Sequence, residues 1–332
     1  MGKSKHQVKS AVITGFLGKT QDRFRAYNSE RSLDEKFSVL AEIDQIDGVE
    51  VVHPYEVPEA PVLIDLLRKH DLTIAAINVN VKSEPEFIDG GLTSEDPAIR
   101  KKAVSMIKEA KDYAEAVGAD KVQCCPLGDG YEFSFQRDYT RTWSYLKEGF
   151  SEAGLYKPEI PLFIEYKPSE VRGKSFLDSA AKTVCLLEQI QNPALGVTLD
   201  FGHSIYGQEN PAEALCLLED SGFPYYIHIN DNDGAWDWDY MVATKHFLEY
   251  VEFIYYLQKF GYSDYLTSDT SPTRLDVQAT FAANARWTNT IWNMLLDLDR
   301  EKISDLLKQQ DYMQTWEFLE KNVFFGRNHH GN

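Results

Sequence analysis

Tyr225-Tyr226-Ile227-His228-Ile229-Asn230-Asp231-Asn232-Asp233-Gly234-Ala235-Trp236-Asp237-Trp238-Asp239 reads as a buried strand running straight into a carboxylate-rich loop. Its first five residues are β-prone and the apolar run stops at Ile229. From His228 to Asp239, four aspartates and a histidine fall within twelve residues and repel one another if left unpaired. A divalent cation relieves that repulsion, and Mg²⁺ and Mn²⁺ take oxygen ligands with occasional imidazole. A solvated acidic loop explains the stretch equally well in isolation, so the ends of the other strands decide.

The same unit recurs on both sides. Runs at 8–14, 49–53, 72–79, 121–125, 161–166, 195–200 and 264–269 read as strands beside the one ending at Ile229. Stretches of helical length lie between them, such as the one opened by Pro97, which carries Ala103, Ile107, Ala110 and Ala114 at the spacing of a buried stripe. Helices are also expected at 33–46, 139–153, 176–190, 242–260, 274–297 and 302–321. Eight β-then-α units with no Gly/Ser linker predict an α/β chain folded as a single (β/α)₈ TIM barrel with an additional C-terminal helix. Near-continuous apolar strands fit a sheet covered on both faces. An open doubly wound sheet is the alternative, but no G-x-G-x-x-G follows the first strand. Residues 1–300 are read as the catalytic barrel. Residues 301–332 are read as a helical extension packing on the barrel or on a neighbouring subunit.

Bulk properties narrow the partners. A formal charge of −18 over 332 residues argues against nucleic acid or an anionic membrane as partner. No apolar run approaches the ~20 residues of a membrane span. The opening Met1-Gly2-Lys3-Ser4-Lys5-His6 lacks the apolar segment of a signal peptide, so a cytoplasmic protein is expected. Cys124, Cys125, Cys185 and Cys216 show no metal-type spacing and read as buried free thiols.

In a barrel of this kind the active site lies at the C-terminal strand ends. The second strand ends in His53, the fifth in Glu165-Tyr166-Lys167, and the sixth in Asp200-Phe201-Gly202-His203. The seventh ends in His228 and the eighth in Asp269. Each alone has a bland explanation; their convergence on one mouth is harder to dismiss, and a dinuclear cation site neutralises them. Glu165, Asp200, His228 and Asp269 come from four consecutive strands and suit one cation. His203, Asp237 and Asp239, with Asp200 bridging, suit a second, because residues two apart in an extended segment share a face. Oxygen-rich ligation favours Mn²⁺ or Mg²⁺, with Co²⁺ possible. Asp231 and Asp233 are left as loop-turn residues.

Glu165-Tyr166-Lys167-Pro168-Ser169-Glu170-Val171-Arg172-Gly173 resembles the Glu-x-Lys-Pro-x-Glu-x-Arg-Gly signature of xylose isomerases. Asp200-x-x-His203, His228 with Asp237-x-Asp239, and Asp269 resemble the two-metal set of L-rhamnose isomerase. On these residues, between about 160 and 274, the chain is identified as a member of the xylose-isomerase-like sugar isomerase/epimerase superfamily. The resemblance implies aldose–ketose isomerisation at two divalent cations, in a homo-oligomer (dimer or tetramer). Lys167 would stabilise charge on the carbonyl oxygen, its bland alternative being a salt bridge to a ligand carboxylate. His53 would act in ring opening, although the family's aspartate partner is unmatched and Glu56 stands three residues on. Trp236 and Trp238 are candidate walls for a sugar, and Arg274 a candidate anion contact, each with core or salt-bridge roles as alternatives.

Four other readings compete. A single-metal ketose 3-epimerase would leave Asp237-x-Asp239 unexplained. A metal-dependent lyase or C-glycoside-cleaving enzyme would differ only in activity. An endonuclease on the same barrel would need basic surface. A non-catalytic sugar-binding protein would not need Lys167.

Overall fold

The computed structural model describes residues 8–171 and 173–324. Arg172 of the signature above, Met1–His6 and the last eight residues of the expected C-terminal extension lie outside the described residues.

Eight parallel strands close on themselves: β1 (Lys9–Ile13), β2 (Gly48–His53), β3 (Thr73–Val79), β4 (Val122–Cys124), β5 (Leu162–Glu165), β6 (Leu195–Asp200), β7 (Tyr225–Ile229) and β8 (Tyr265–Ser268). Each pairs with its sequence neighbours, and β1 pairs with both β2 and β8, so no edge is left open. Eight helices form the outer layer: α1 (Leu33–Ala41), α2 (Ala60–His70), α3 (Pro97–Val117), α4 (Tyr139–Leu155), α5 (Ala180–Ile190), α6 (Pro211–Ser221), α7 (Phe247–Lys259) and α8 (Val277–Leu296). The expected (β/α)₈ barrel is therefore the observed one.

Local chemistry sets the helix ends. Ser32 and Glu35 form a reciprocal capping box on α1. Asp96 caps α3 ahead of Pro97, and Gly118 ends it in the left-handed conformation that glycine adopts freely. Several expected starts move inward: α5 begins at Ala180, where Ser179 accepts from Lys182 N, and α8 at Val277, where Asp276 accepts from Ala279 N. The helix expected over 302–321 is broken. α9 (Arg300–Gln309) stops at Gln310, whose φ is 54°, and α10 (Tyr312–Leu319) restarts under an Asp311 cap. Both lie against α7 and α8, with Leu306 buried and Phe324 6.2 Å from Phe247 ring to ring.

The apolar core fills the space between strands and helices, with Phe201 packed edge-on against Tyr250 and Phe253 of α7. Inside the barrel, Ala76, Phe163 and Tyr226 form a separate plug toward the N-terminal end. Beyond the ends of β4 and β5, the short strand Gly173–Ser175 pairs with Ser169–Glu170 on one side and with Gly130–Tyr131 on the other. All four cysteines are free. Cys124 and Cys125 are buried as expected, but Cys185 is exposed and Cys216 half-buried. Among the described residues no helix is long and apolar enough to cross a membrane.

The plug depends on a missing side chain. A Cβ at Gly196 would lie 2.5 Å from Pro224 O and 2.8 Å from the Phe163 ring. Gly196→Ala should lower stability by about 1–3 kcal/mol through overpacking, read as a reduced denaturant midpoint with an unchanged slope.

Candidate active site

Glu165 ends β5, Asp200 ends β6, His228 is the penultimate residue of β7, and Asp269 follows β8. Asp200 and His228 are register partners across adjacent strands. One donor atom from each of the four residues lies within 4.8 Å of all the others.

These groups are firmly held. Asp200 accepts from His203 N at 2.8 Å on one oxygen and from Asn230 Nδ2 at 2.9 Å on the other. Gln123 Nε2 donates to Glu165, whose other oxygen is 3.3 Å from His228 Nδ1. The second imidazole nitrogen of His228 is 3.1 Å from Glu50 Oε2. Gly202 is required where it stands, since a Cβ there would lie 1.9 Å from Asn230 Oδ1 and displace the amide that holds Asp200.

His203, Asp237, Asp239 and Lys167 line the same cavity. His203 Nδ1 donates to Tyr166 O at 2.9 Å, which turns Nε2 toward Asp237 Oδ2 at 3.3 Å. Lys167 Nζ contacts Asp237 Oδ2 at 2.8 Å and Glu170 Oε1 at 2.5 Å. Asp237 Oδ1 is buried without a protein partner. Asp239 has a φ of 50°, a left-handed conformation costing a non-glycine residue roughly 1–2 kcal/mol.

Charge crowding shows in the acid–base properties. Burial, reinforced by Asp269, Glu165 and Asp237, pushes the Asp200 carboxyl up to about 7 despite His203. Burial and Asp237 and Asp269 push Asp239 well up, and burial with Glu165 raises Asp269. Burial opposes charge on His203, but Asp200 and Asp237 outweigh it and lift the imidazole to about 10. Burial likewise opposes the Lys167 ammonium, yet Asp237, Glu170 and Asp239 keep it well above its ordinary range. The donor set is oxygen-rich with imidazole and has no thiol, which fits a hard or borderline divalent cation.

The cavity has a volume of about 530 Å³, and Ile13, Phe16, Val52 and Leu127 supply its apolar wall. That volume suits a small polar ligand. Four sequence candidates lie elsewhere. His53 faces outward: Val52 lines the cavity, so strand alternation turns His53 toward Tyr113, ring to ring at 5.5 Å, in a separate cleft. The tryptophans flanking Asp237 do not line the cavity either. Trp236 stacks edge-on with Tyr206, and Trp238 is exposed and donates to Asp233. Arg274 lines a neighbouring cavity with Pro272 and Lys245. Asp233 is a turn residue as expected. Asp231 is more than that: fully buried, it accepts from Lys245 N, His246 N and His246 Nδ1, fastening the loop ahead of α7.

Glu56 and Glu170 stand out in the sequence only beside other residues, and Asn78, Glu50 and Gln123 do not stand out at all. Glu56, bonded to Thr14 Oγ1 at 3.0 Å and Lys36 Nζ at 3.1 Å, lines the cavity, as do Glu170 and Asn78. Glu50 and Gln123 lie fully buried in mid-strand. The available signal was a charged or amide residue sharing strand parity with a mouth residue.

A family model described as a xylose isomerase-like TIM barrel matches residues 37–291. The chain belongs to that family. Xylose isomerase of Thermus thermophilus is 24% identical over 165 residues, 48% of this chain and 43% of that protein. Xylose isomerase of Thermus caldophilus is 25% identical over 164 residues, 48% of this chain and 42% of that one. The match thus spans less than half the length of these curated relatives. Among solved structures, a D-tagatose 3-epimerase-like protein aligns with a TM-score of 0.66 at 21% identity, covering 89% of this chain and 100% of that one. D-allulose 3-epimerase from Methylomonas sp. aligns at 0.67 and 13% identity, covering 86% and 99%. At these identities the likeness to the solved structures is one of fold.

A divalent cation held in this site would displace protons from the raised Asp200 and from His203, which would link its binding to proton release. Mn²⁺ affinity should weaken as pH falls from 8 to 6. Isothermal titration in buffers of different ionisation enthalpy should show net proton release, and the Mn²⁺-induced rise in Tm should be larger at pH 8 than at pH 6.

Proposed function

We propose that the protein is a divalent-cation-dependent sugar isomerase interconverting an aldose and a ketose. The observation carrying this reading is the second set of groups, His203, Asp237 and Asp239, beside the four-residue cluster and in contact with a buried lysine. One cation does not need that second set, and the partnerless Asp237 Oδ1 leaves a donor to spare.

When bound, the cations polarise the substrate's oxygens as Lewis acids and hold them in place. Glu165, Asp200, His228 and Asp269 would hold one. His203, Asp237 and Asp239, sharing Asp200, would hold the other, with Mn²⁺, Mg²⁺ or Co²⁺ matching the donors. Lys167 stays protonated, so it serves as a hydrogen-bond donor and not as a base. Its ammonium, fixed by Asp237 and Glu170, is suited to an oxygen that gains negative charge as hydrogen passes between C1 and C2. Phe16, Val52 and Leu127 shield the carbon face from water. The exposed Tyr312, Met313 and Trp316 on α10 support a homo-oligomer.

One observation favours a ketose 3-epimerase instead. The ligand atoms within 4.8 Å of one another come from four residues, enough for a single cation, and two solved structures of similar fold are named as 3-epimerases or as 3-epimerase-like.

The products and the metal count separate the two. Mn²⁺-loaded protein should convert a ketose to its aldose and hold two cations per chain. Asp237→Asn with Asp239→Asn should reduce this to one and cut turnover by roughly 10²-fold or more. Lys167→Met should lower kcat by roughly 10²–10³-fold with little change in KM. A normal isomerisation rate in the double variant would sink the two-cation reading, and an epimeric ketose as sole product would select the alternative.

A further inference from the structure

Glu50 is a fully buried carboxylate inside the barrel, two residues below cavity-lining Val52 on the same face of β2. Three donors converge on it: Asn78 Nδ2 at 2.8 Å, Tyr226 OH at 3.0 Å and His228 Nε2 at 3.1 Å. A buried carboxylate needs a positive or strongly donating partner, and of the three donors the imidazole is the one able to carry positive charge. On its other side the same ring turns Nδ1 toward Glu165 Oε1 at 3.3 Å and Asp269 Oδ2 at 3.6 Å. Reversing the ring would bring Cε1 to Glu50 and Cδ2 to the cluster, so both nitrogens keep their partners only in this orientation.

We infer that Glu50 is a positioning residue that fixes the tautomer of His228 and lends its negative charge to the cation site through the ring. This rests on the cation-site reading above, not on which sugar reaction follows. With Nε2–H committed to Glu50, Nδ1 keeps its lone pair for a cation, and the ring cannot turn away. Asn78 and Tyr226 hold the carboxylate, so the arrangement is set before any cation arrives.

The test is binding of Mn²⁺ alone by isothermal titration, with no sugar present. Glu50→Gln keeps the shape and an acceptor but removes the charge. It should weaken Mn²⁺ binding by roughly 10–100-fold, while in a His228→Asn background the same change should alter affinity less than twofold. A merely structural role for Glu50 would lower the melting temperature of the cation-free protein without moving the affinity. Unchanged affinity in a folded Glu50→Gln protein therefore overturns the inference. A second measurement needs no variant: ¹⁵N-histidine spectra of the wild-type protein with Mg²⁺ should show His228 with a slowly exchanging Nε2–H and an unprotonated Nδ1. The opposite tautomer overturns it. Absence of Mn²⁺ binding by the wild type would instead overturn the cation site itself, a separately recognisable failure.

Discussion

Mutual repulsion among five carboxylates, Glu165, Asp200, Asp237, Asp239 and Asp269, is the constraint on which the barrel mouth is built. At an effective dielectric of ~20, two such charges 4 Å apart repel by about 4 kcal/mol. Net domain stability is only about 5–15 kcal/mol, so several such pairs left uncompensated would be ruinous. The positive groups facing them are Lys167 and the imidazoles of His203 and His228, fewer than the carboxylates they must balance. Burial first, and the neighbouring carboxylates after it, raise the carboxyls of Asp200, Asp239 and Asp269. Further positive charge would relieve the repulsion, and the donor types suit a divalent cation.

Strand parity decides which residues enter this balance. A strand gives every second side chain to the barrel interior, so one step along the chain exchanges a catalytic position for a core one. Glu165 and Lys167 are two apart and both face the cavity, while Tyr166 between them is buried against Ser204. The same rule seats Glu50 and Val52 inside and turns His53 out.

The architecture was legible because periodicity is spread over hundreds of residues, and eight apolar runs with intervening helices admit few folds. The acidic and imidazole groups were legible for a related reason: they stand at the C-terminal ends of those runs, where barrel geometry brings them together. Residue type alone does not report that parity turns His53 out of the cavity, or that the irregular loop keeps Trp236 and Trp238 off its wall. Glu50 and Gln123 escaped notice because they interrupt strands below the mouth, where a polar residue reads as an imperfection until its partner on a distant strand is known. The break at Gln310 turned on a single left-handed residue and a cap at Asp311, local features that an apolar stripe does not report.

The positive charges around the cavity are of two kinds. Asp237, Glu170 and Asp239 favour the charged form of Lys167 against the cost of its burial. Asp200 and Asp237 likewise favour the proton on His203, and the same field would favour a divalent ion there. Exchange of that proton for a cation would need no rebuilding of the site. Rigidity below it makes this workable: both oxygens of Asp200 are already engaged, His228 is held from beneath by Glu50, and the Phe163–Tyr226 plug closes the barrel under them. These groups would therefore meet a cation in place, since the conformational entropy that a looser loop would lose on binding has been lost on folding instead.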